Sequence, residues 1–294
     1  MAEGSDLSHE DKIKIAESFI LDAPFGELKE VISDVQVLLG GEAVLADKLP
    51  GIVRQYNHAR RVAAEGQATK VLLCEEGELS DGAYFDAAAA RCVRIEHVGA
   101  KILSSDDLEE KHRNAKVEEF RVPTQDNIAK YVASALSGGN SAVHGNMQDS
   151  DVKISVNLSG YKLNTRNFWT GHWCSHWTIV LADHGAAGSA TLEGSISAKV
   201  HYYEDGNVHM TAKRSYSEPL TWTDTATFAA AMAKAISNTE QSYHAYLDDQ
   251  YAGLPDRIPD CAFKSLRRKM PITQQRFQWD KVAAYSLARE LTHK

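Results

Sequence analysis

The sequence has no long apolar run. Nothing in it approaches the roughly 18 consecutive apolar residues that a membrane-spanning helix needs. Its opening residues, MAEGSDLSHEDK, are polar and hold no apolar signal core, so a cytosolic location is expected. Cysteine is scarce: Cys74, Cys92, Cys174 and Cys261 stand far apart with no CxxC pair, which points to reduced, buried thiols. The common catalytic signatures are missing as well. There is no GxGxxG, no GxxxxGK followed by Ser or Thr, no HExxH and no GxSxG. No internal repeat or low-complexity tract is present either. What remains is the composition of a globular chain, 43% hydrophobic and 24% charged over 294 residues, with ample material for a core.

Charge is present but unevenly placed. From Cys261 to Lys294 eight basic residues face two acidic ones, a net of +6, and this leaves −14 to the rest of a chain whose total is −8. An acidic body with a basic end points to an acidic partner met by that end, with a solvated helix end as the plainer alternative. The acidic body argues against a general nucleic-acid or lipid affinity.

Periodicity divides the chain. Ser8 caps a helix carrying Ile13, Ala16 and Ile20 that stops at Pro24. Leu28, Val31, Ile32, Val35, Leu38 and Leu39 mark a second helix ended by Gly40-Gly41. Val44–Tyr56 reads as a third, interrupted at Pro50. Strands are expected at Lys70–Cys74 and Arg91–His97, the charge-dense stretch Ser104–Glu119 reads as an exposed loop, and Asp126–Leu136 reads as a helix. Strands dominate from Ser141 to Trp222. Val152, Ile154, Val156 and Leu158 alternate with polar residues, and Asp205-Gly206 signals a type I′ hairpin turn. Thr223 then opens an alanine-rich helix to about Tyr251, broken by Gly253, Pro255 and Pro259. The expectation is an α+β fold with an N-terminal three-helix bundle at 1–58, a small strand and loop region at 59–122 and an antiparallel sheet region with one helix at 123–222. A long helix covers the sheet at 223–257, and a basic amphipathic tail occupies 258–294.

Two constellations could carry function. His172, Cys174 and His176 alternate along one strand and would share a face, and they are zinc-ligand types. A zinc enzyme built on them is one reading. The other is that Trp173 and Trp177 enter the core while the histidines face solvent or another chain. In the tail, Phe263-Lys264-Ser265-Leu266-Arg267-Arg268-Lys269-Met270-Pro271 sets four cations between apolar anchors. The following stretch Phe277–Thr292 clusters Phe277, Ala284, Leu287, Ala288 and Leu291 on one helix side, with Lys281 and Arg289 on another. An amphipathic basic helix after a hinge suits a partner groove, a membrane surface or nucleic acid.

Three stretches resemble a known family, the alpha subunit of the heterodimeric F-actin capping protein. Asn167-Phe168-Trp169-Thr170-Gly171-His172-Trp173 is similar to its NFWxGxW, and His201-Tyr202-Tyr203-Glu204-Asp205-Gly206-Asn207-Val208 to its HYYEDGNV. Phe263-Lys264-Ser265-Leu266-Arg267-Arg268 with Met270-Pro271-Ile272-Thr273 resembles FKxLRRxLPxT. The resemblance implies a pseudo-symmetric dimer with a beta-type subunit, the sheet shared between them, a homodimer being the alternative. It also implies a cytoskeletal, non-enzymatic role without cofactor or metal, in which the dimer blocks subunit addition and loss at the fast-growing (barbed) end of actin filaments. Actin binding would then fall to Lys264, Arg267, Arg268, Arg276, Lys281, Trp279, Leu287 and Leu291. Gln274 stands where the family carries an arginine, and Arg276 is the nearest substitute. Phosphoinositide regulation through the basic tail is implied too, whereas nucleic acid is not a partner. The His-Cys-His alternation departs from the family pattern.

Overall fold

A computed structural model describes residues 8–252 apart from 68, 137, 165, 167, 183–186 and 204–207. The expected basic tail and the Asp205-Gly206 turn therefore lie outside the described residues.

Helices α1 (His9–Asp22), α2 (Leu28–Leu38) and α3 (Leu49–Arg60) form the N-terminal bundle. Ser8 Oγ accepts the Asp11 N–H at 3.2 Å, the expected cap. Gly40 and Gly41 end α2 at φ 86° and 145°, where a side chain would be strained. Pro50 does not interrupt α3. It sits in the first turn, where its missing N–H has no helical acceptor to serve. Ile13, Ala16, Ile20, Ile32, Val35, Ile52 and Val53 make the bundle's own core.

Between residues 63 and 107 the chain builds a six-stranded sheet of order β2-β1-β6-β5-β4-β3. Its strands are β1 (Ala63–Glu65), β2 (Lys70–Leu72), β3 (Glu78–Ser80), β4 (Ala83–Asp86), β5 (Arg91–Glu96) and β6 (Lys101–Asp107). Two expectations fail here. Ser104–Asp107 is not loop but the end of β6, which pairs with β5 from Arg91↔Asp107 to Glu96↔Lys101. Nearly all its side chains are exposed, so backbone pairing rather than burial holds it and no apolar period marks it. Helix α4 (Ala115–Ala135) starts eleven residues earlier than Asp126. Asn114 caps it by accepting the Lys116 N–H at 3.0 Å. Val117, Phe120, Thr124, Ile128 and Val132 form an unbroken buried stripe through Pro123.

The central sheet is a five-stranded antiparallel meander, ordered β11-β10-β9-β8-β7. It consists of β7 (Asn140–Gln148), β8 (Asp151–Asn164), β9 (Trp169–Leu181), β10 (Gly188–Tyr202) and β11 (Val208–Trp222). Helix α5 (Thr225–Ala252) has 28 residues, about 42 Å of rise. With α4 it covers one face of this sheet. The main core lies between them, where Val152, Ile154, Val156, Leu158, Trp177, Leu192 and Ile196 meet Phe120, Ile128, Phe228, Met232 and Ile236. Gly194 lets this layer close: a Cβ there would fall 2.0 Å from the Trp177 ring. Among the described residues no helix is long and apolar enough to cross a membrane.

Candidate functional site

The zinc reading of β9 meets a specific obstacle, because its two histidines have other partners. Their face of the sheet is turned away from α4 and α5. There His172 stacks on Phe25 with ring centroids 4.4 Å apart and hydrogen-bonds Ser159 Oγ at 3.2 Å. Burial, and then the positive field of Arg60, push its pKa down to about 3, so the ring is neutral. His176 Nε2 lies 2.7 Å from Glu76 Oε1. Burial opposes the charge on Glu76, but the His176 contact and the field of Arg61 outweigh it and hold the carboxyl far below its usual range. Among the described residues no group of three or more His, Cys, Asp or Glu is gathered as a metal site. His172 does not face solvent, since the α1–α2 turn covers it, while His176 is half-buried against the 3-10 turn Glu75–Gly77. Trp177 is buried as expected, while Trp173 is half-buried against Tyr243 and His244 of α5. Cys74 and Cys174 are buried free thiols, but Cys92 is only half-buried.

A different feature of the same sheet is open to partners. Strand β11 pairs with β10 through fifteen residue positions and has no described strand on its other side. An edge of about 50 Å, with no described strand to answer its outward N–H and C=O groups, is a ready template for a further strand. Its blunting is slight. Pro219 has no N–H to give and Lys213, Arg214 and Glu218 add charge. Above it, Arg214 lies over the rings of Tyr216 and Tyr246 at 5.4 and 5.7 Å, and Tyr246 is 48% exposed. Tyrosine and arginine are the side chains most often found anchoring interfaces. The hairpin signal and the strand-rich stretch up to Trp222 place a strand here, but they do not show that it stands at the edge, because strand order is a tertiary property.

Comparison with known proteins shows the family. The sequence model of the F-actin capping protein alpha subunit matches residues 16–290. The chain belongs to that family. It is 30% identical to the F-actin-capping protein subunit alpha of Dictyostelium discoideum, over 97% of this chain and 99% of the relative. Against the subunit alpha of Arabidopsis thaliana the identity is 29%, over 98% of this chain and 94% of the relative. A solved structure of the homodimeric actin capping protein alpha subunit from Plasmodium berghei shares the fold. Its TM-score is 0.70 at 17% identity, covering 81% of this chain and 92% of that one. The family match extends through the tail in which Lys264, Arg267, Arg268, Arg276, Trp279, Lys281, Leu287 and Leu291 were singled out. Those eight residues lie outside the described part of the structure.

Proposed function

We propose that this chain is the alpha-type subunit of a dimer that caps the barbed ends of actin filaments and so stops subunit addition and loss there. The observation that carries this reading is the family match over residues 16–290, which takes in both the sheet and the tail. The unpaired edge of β11 supports a dimer in which a second sheet continues the first, and the Arg214–Tyr216–Tyr246 cluster would anchor it. The preferred partner is a beta-type subunit, because a related but different chain can supply a matching edge without placing identical charges opposite one another. A second copy of this chain is the alternative that the homodimeric relative brings forward.

In this reading the tail makes the filament contact. Its +6 charge would speed encounter with an acidic filament end and fix register. Trp279, Leu287 and Leu291 would add apolar burial, roughly 2 kcal/mol for each large side chain fully covered. Lys264 and Arg268 are expected to dominate the encounter, with Arg267, Arg276 and Lys281 assisting. The place of action is the cytoskeleton in the cytoplasm. The test is to co-express the chain with a beta-type subunit, identify what co-purifies, and follow elongation of actin from filament seeds. Replacing both Lys264 and Arg268 by Ala should slow association with the ends, most visibly at low salt. Unchanged association rates would remove the tail from the account.

A further inference from the structure

The polar face of the central sheet is not wholly filled. Between it and the α1–α2 turn lies a cavity of about 340 Å³, with Arg60 at the end of α3 and Lys199 of β10 in its wall. His172, His201 and His209 join them from three neighbouring strands. Arg60 is only 6% exposed. Its guanidinium touches the carbonyls of Leu21 and Ala23 at 3.3 and 3.4 Å and lies 5.5 Å from the Tyr56 ring centre. Its Nε–H is buried with no acceptor among the described residues. No carboxylate among the described residues comes within salt-bridge distance of Arg60 or Lys199. A buried cation normally has an anionic partner, because desolvation is otherwise uncompensated.

Lys199 repeats the theme. It is half-buried, and desolvation and the nearby Arg60 charge push its ammonium pKa down. Asp22 also lines the cavity, but it is exposed and its pull on Lys199 is weaker than the push from Arg60. Glu27 reaches the same wall, but its carboxylate is engaged by His201, 2.8 Å from the ring Nδ1. The pocket therefore gathers two cations for which the described residues supply no salt-bridged carboxylate, one of them with a buried N–H donor that has no acceptor among those residues.

We infer that this cavity binds a small phosphate-bearing anion. A planar guanidinium edge and an ammonium together suit a tetrahedral, multiply charged oxyanion better than a single carboxylate. The hydroxyls of Thr170 and Thr211 line the same space as further donors. The volume is at the lower end of the range for small-molecule sites, enough for a phosphate ester or diphosphate. The wall takes His209 and Thr211 from β11, so the site adjoins the edge strand, but it is defined without any tail residue and does not rest on the capping reading.

Inorganic pyrophosphate, titrated calorimetrically into the full-length chain with its co-purified partner in phosphate-free, low-salt buffer, is the probe. Saturable binding at one site per chain is expected. Lys199→Gln should weaken it at least tenfold, and Lys199→Arg should restore most of it. A chain ending before Arg267 should bind as well as the intact one. Absence of saturable binding, or binding untouched by Lys199→Gln but lost with the tail, would overturn the inference. Should Lys199→Gln fail to fold, His209→Gln serves at the same wall, and full-strength binding by that variant would count against the site.

Discussion

The two faces of the central sheet are built from alternate residues of the same strands, yet they are different materials. On the α4–α5 side Val152, Ile154, Val156 and Leu158 of β8 lie in an apolar core. On the opposite side Asn157 and Ser159 of the same strand meet Arg61, Glu76 and His172. The first face obtains its stability from burial, which is insensitive to pH. The second obtains its order from hydrogen bonds among ionisable groups, several of them neutral only because they are buried. The apolar face even contains its own exception. Glu240 of α5 is buried there and accepts hydrogen bonds from Ser175, from Tyr131 at 2.9 Å and from Trp177 at 3.4 Å. The difference teaches that one face fixes the fold, while the other is where conditions and ligands can act.

Substitutions can break that contrast, beginning with the largest effect. Trp177→Ala should destabilise the protein by about 3–5 kcal/mol in denaturant unfolding, because a fully buried ring leaves a cavity. A loss below about 1 kcal/mol would mean the helix face is not the main core. The histidines of the polar face come next. His172 and His144 have pKa values pushed down to about 3 and about 4 by burial, against an ordinary value of 6.5. Each binds a proton more readily when unfolded. The stability they contribute is therefore complete above pH 6.5 and is lost as pH falls through the folded-state values. Unfolding free energies measured from pH 7 to pH 4 should fall, and His172→Gln should flatten the curve. An unchanged slope would contradict the neutral, buried state.

Glu240 should do the reverse. Burial raises its pKa, so the folded state holds the proton more tightly than the unfolded one. Its contribution is present below the unfolded carboxylate value and fades as pH rises through the folded one. Glu240→Gln should remove that fading, and if the variant titrates like the parent the carboxyl is not buried. Gly194→Ala sharpens the comparison from the backbone side. The added methyl would strike the Trp177 ring, with an expected loss of about 1–3 kcal/mol. The smallest effect belongs to a position away from both faces. Ser8→Ala removes the α1 cap at about 1 kcal/mol and should leave the pH profile unmoved.

How much of this could be read from the sequence depended on which interactions were local. The three N-terminal helices, the alternation in β8 and the 28-residue helix α5 follow from periodicity, so they were legible. The first half of helix α4 is not legible because charges such as Glu118 and Arg121 interleave with the buried stripe that runs through Pro123. Arg121 itself is buried, paired with Glu118 at 2.6 Å and with the Ala87 carbonyl at 2.9 Å. Strand β6 has no burial pattern to read. The fate of His172 and His176 was hidden for another reason. Their partners Phe25 and Glu76 lie about 100 residues or more away, and only the packed fold brings them together. Arg60 and Lys199 likewise look like ordinary surface cations in sequence. The motifs in the tail and in the strand region, by contrast, pointed to the family directly, since they are strings of neighbouring residues.

The central claim is that the chain acts at filament ends, with its acidic body holding the dimer and its basic tail making the contact. Elongation of actin from filament seeds tests it most directly, using the purified dimer with the intact chain beside a dimer whose chain ends before Arg267. The account predicts that the intact dimer stops barbed-end growth at substoichiometric ratios to actin, while the shortened one stays folded and dimeric but no longer blocks growth. Equal inhibition by both, or none by the intact dimer, would contradict it.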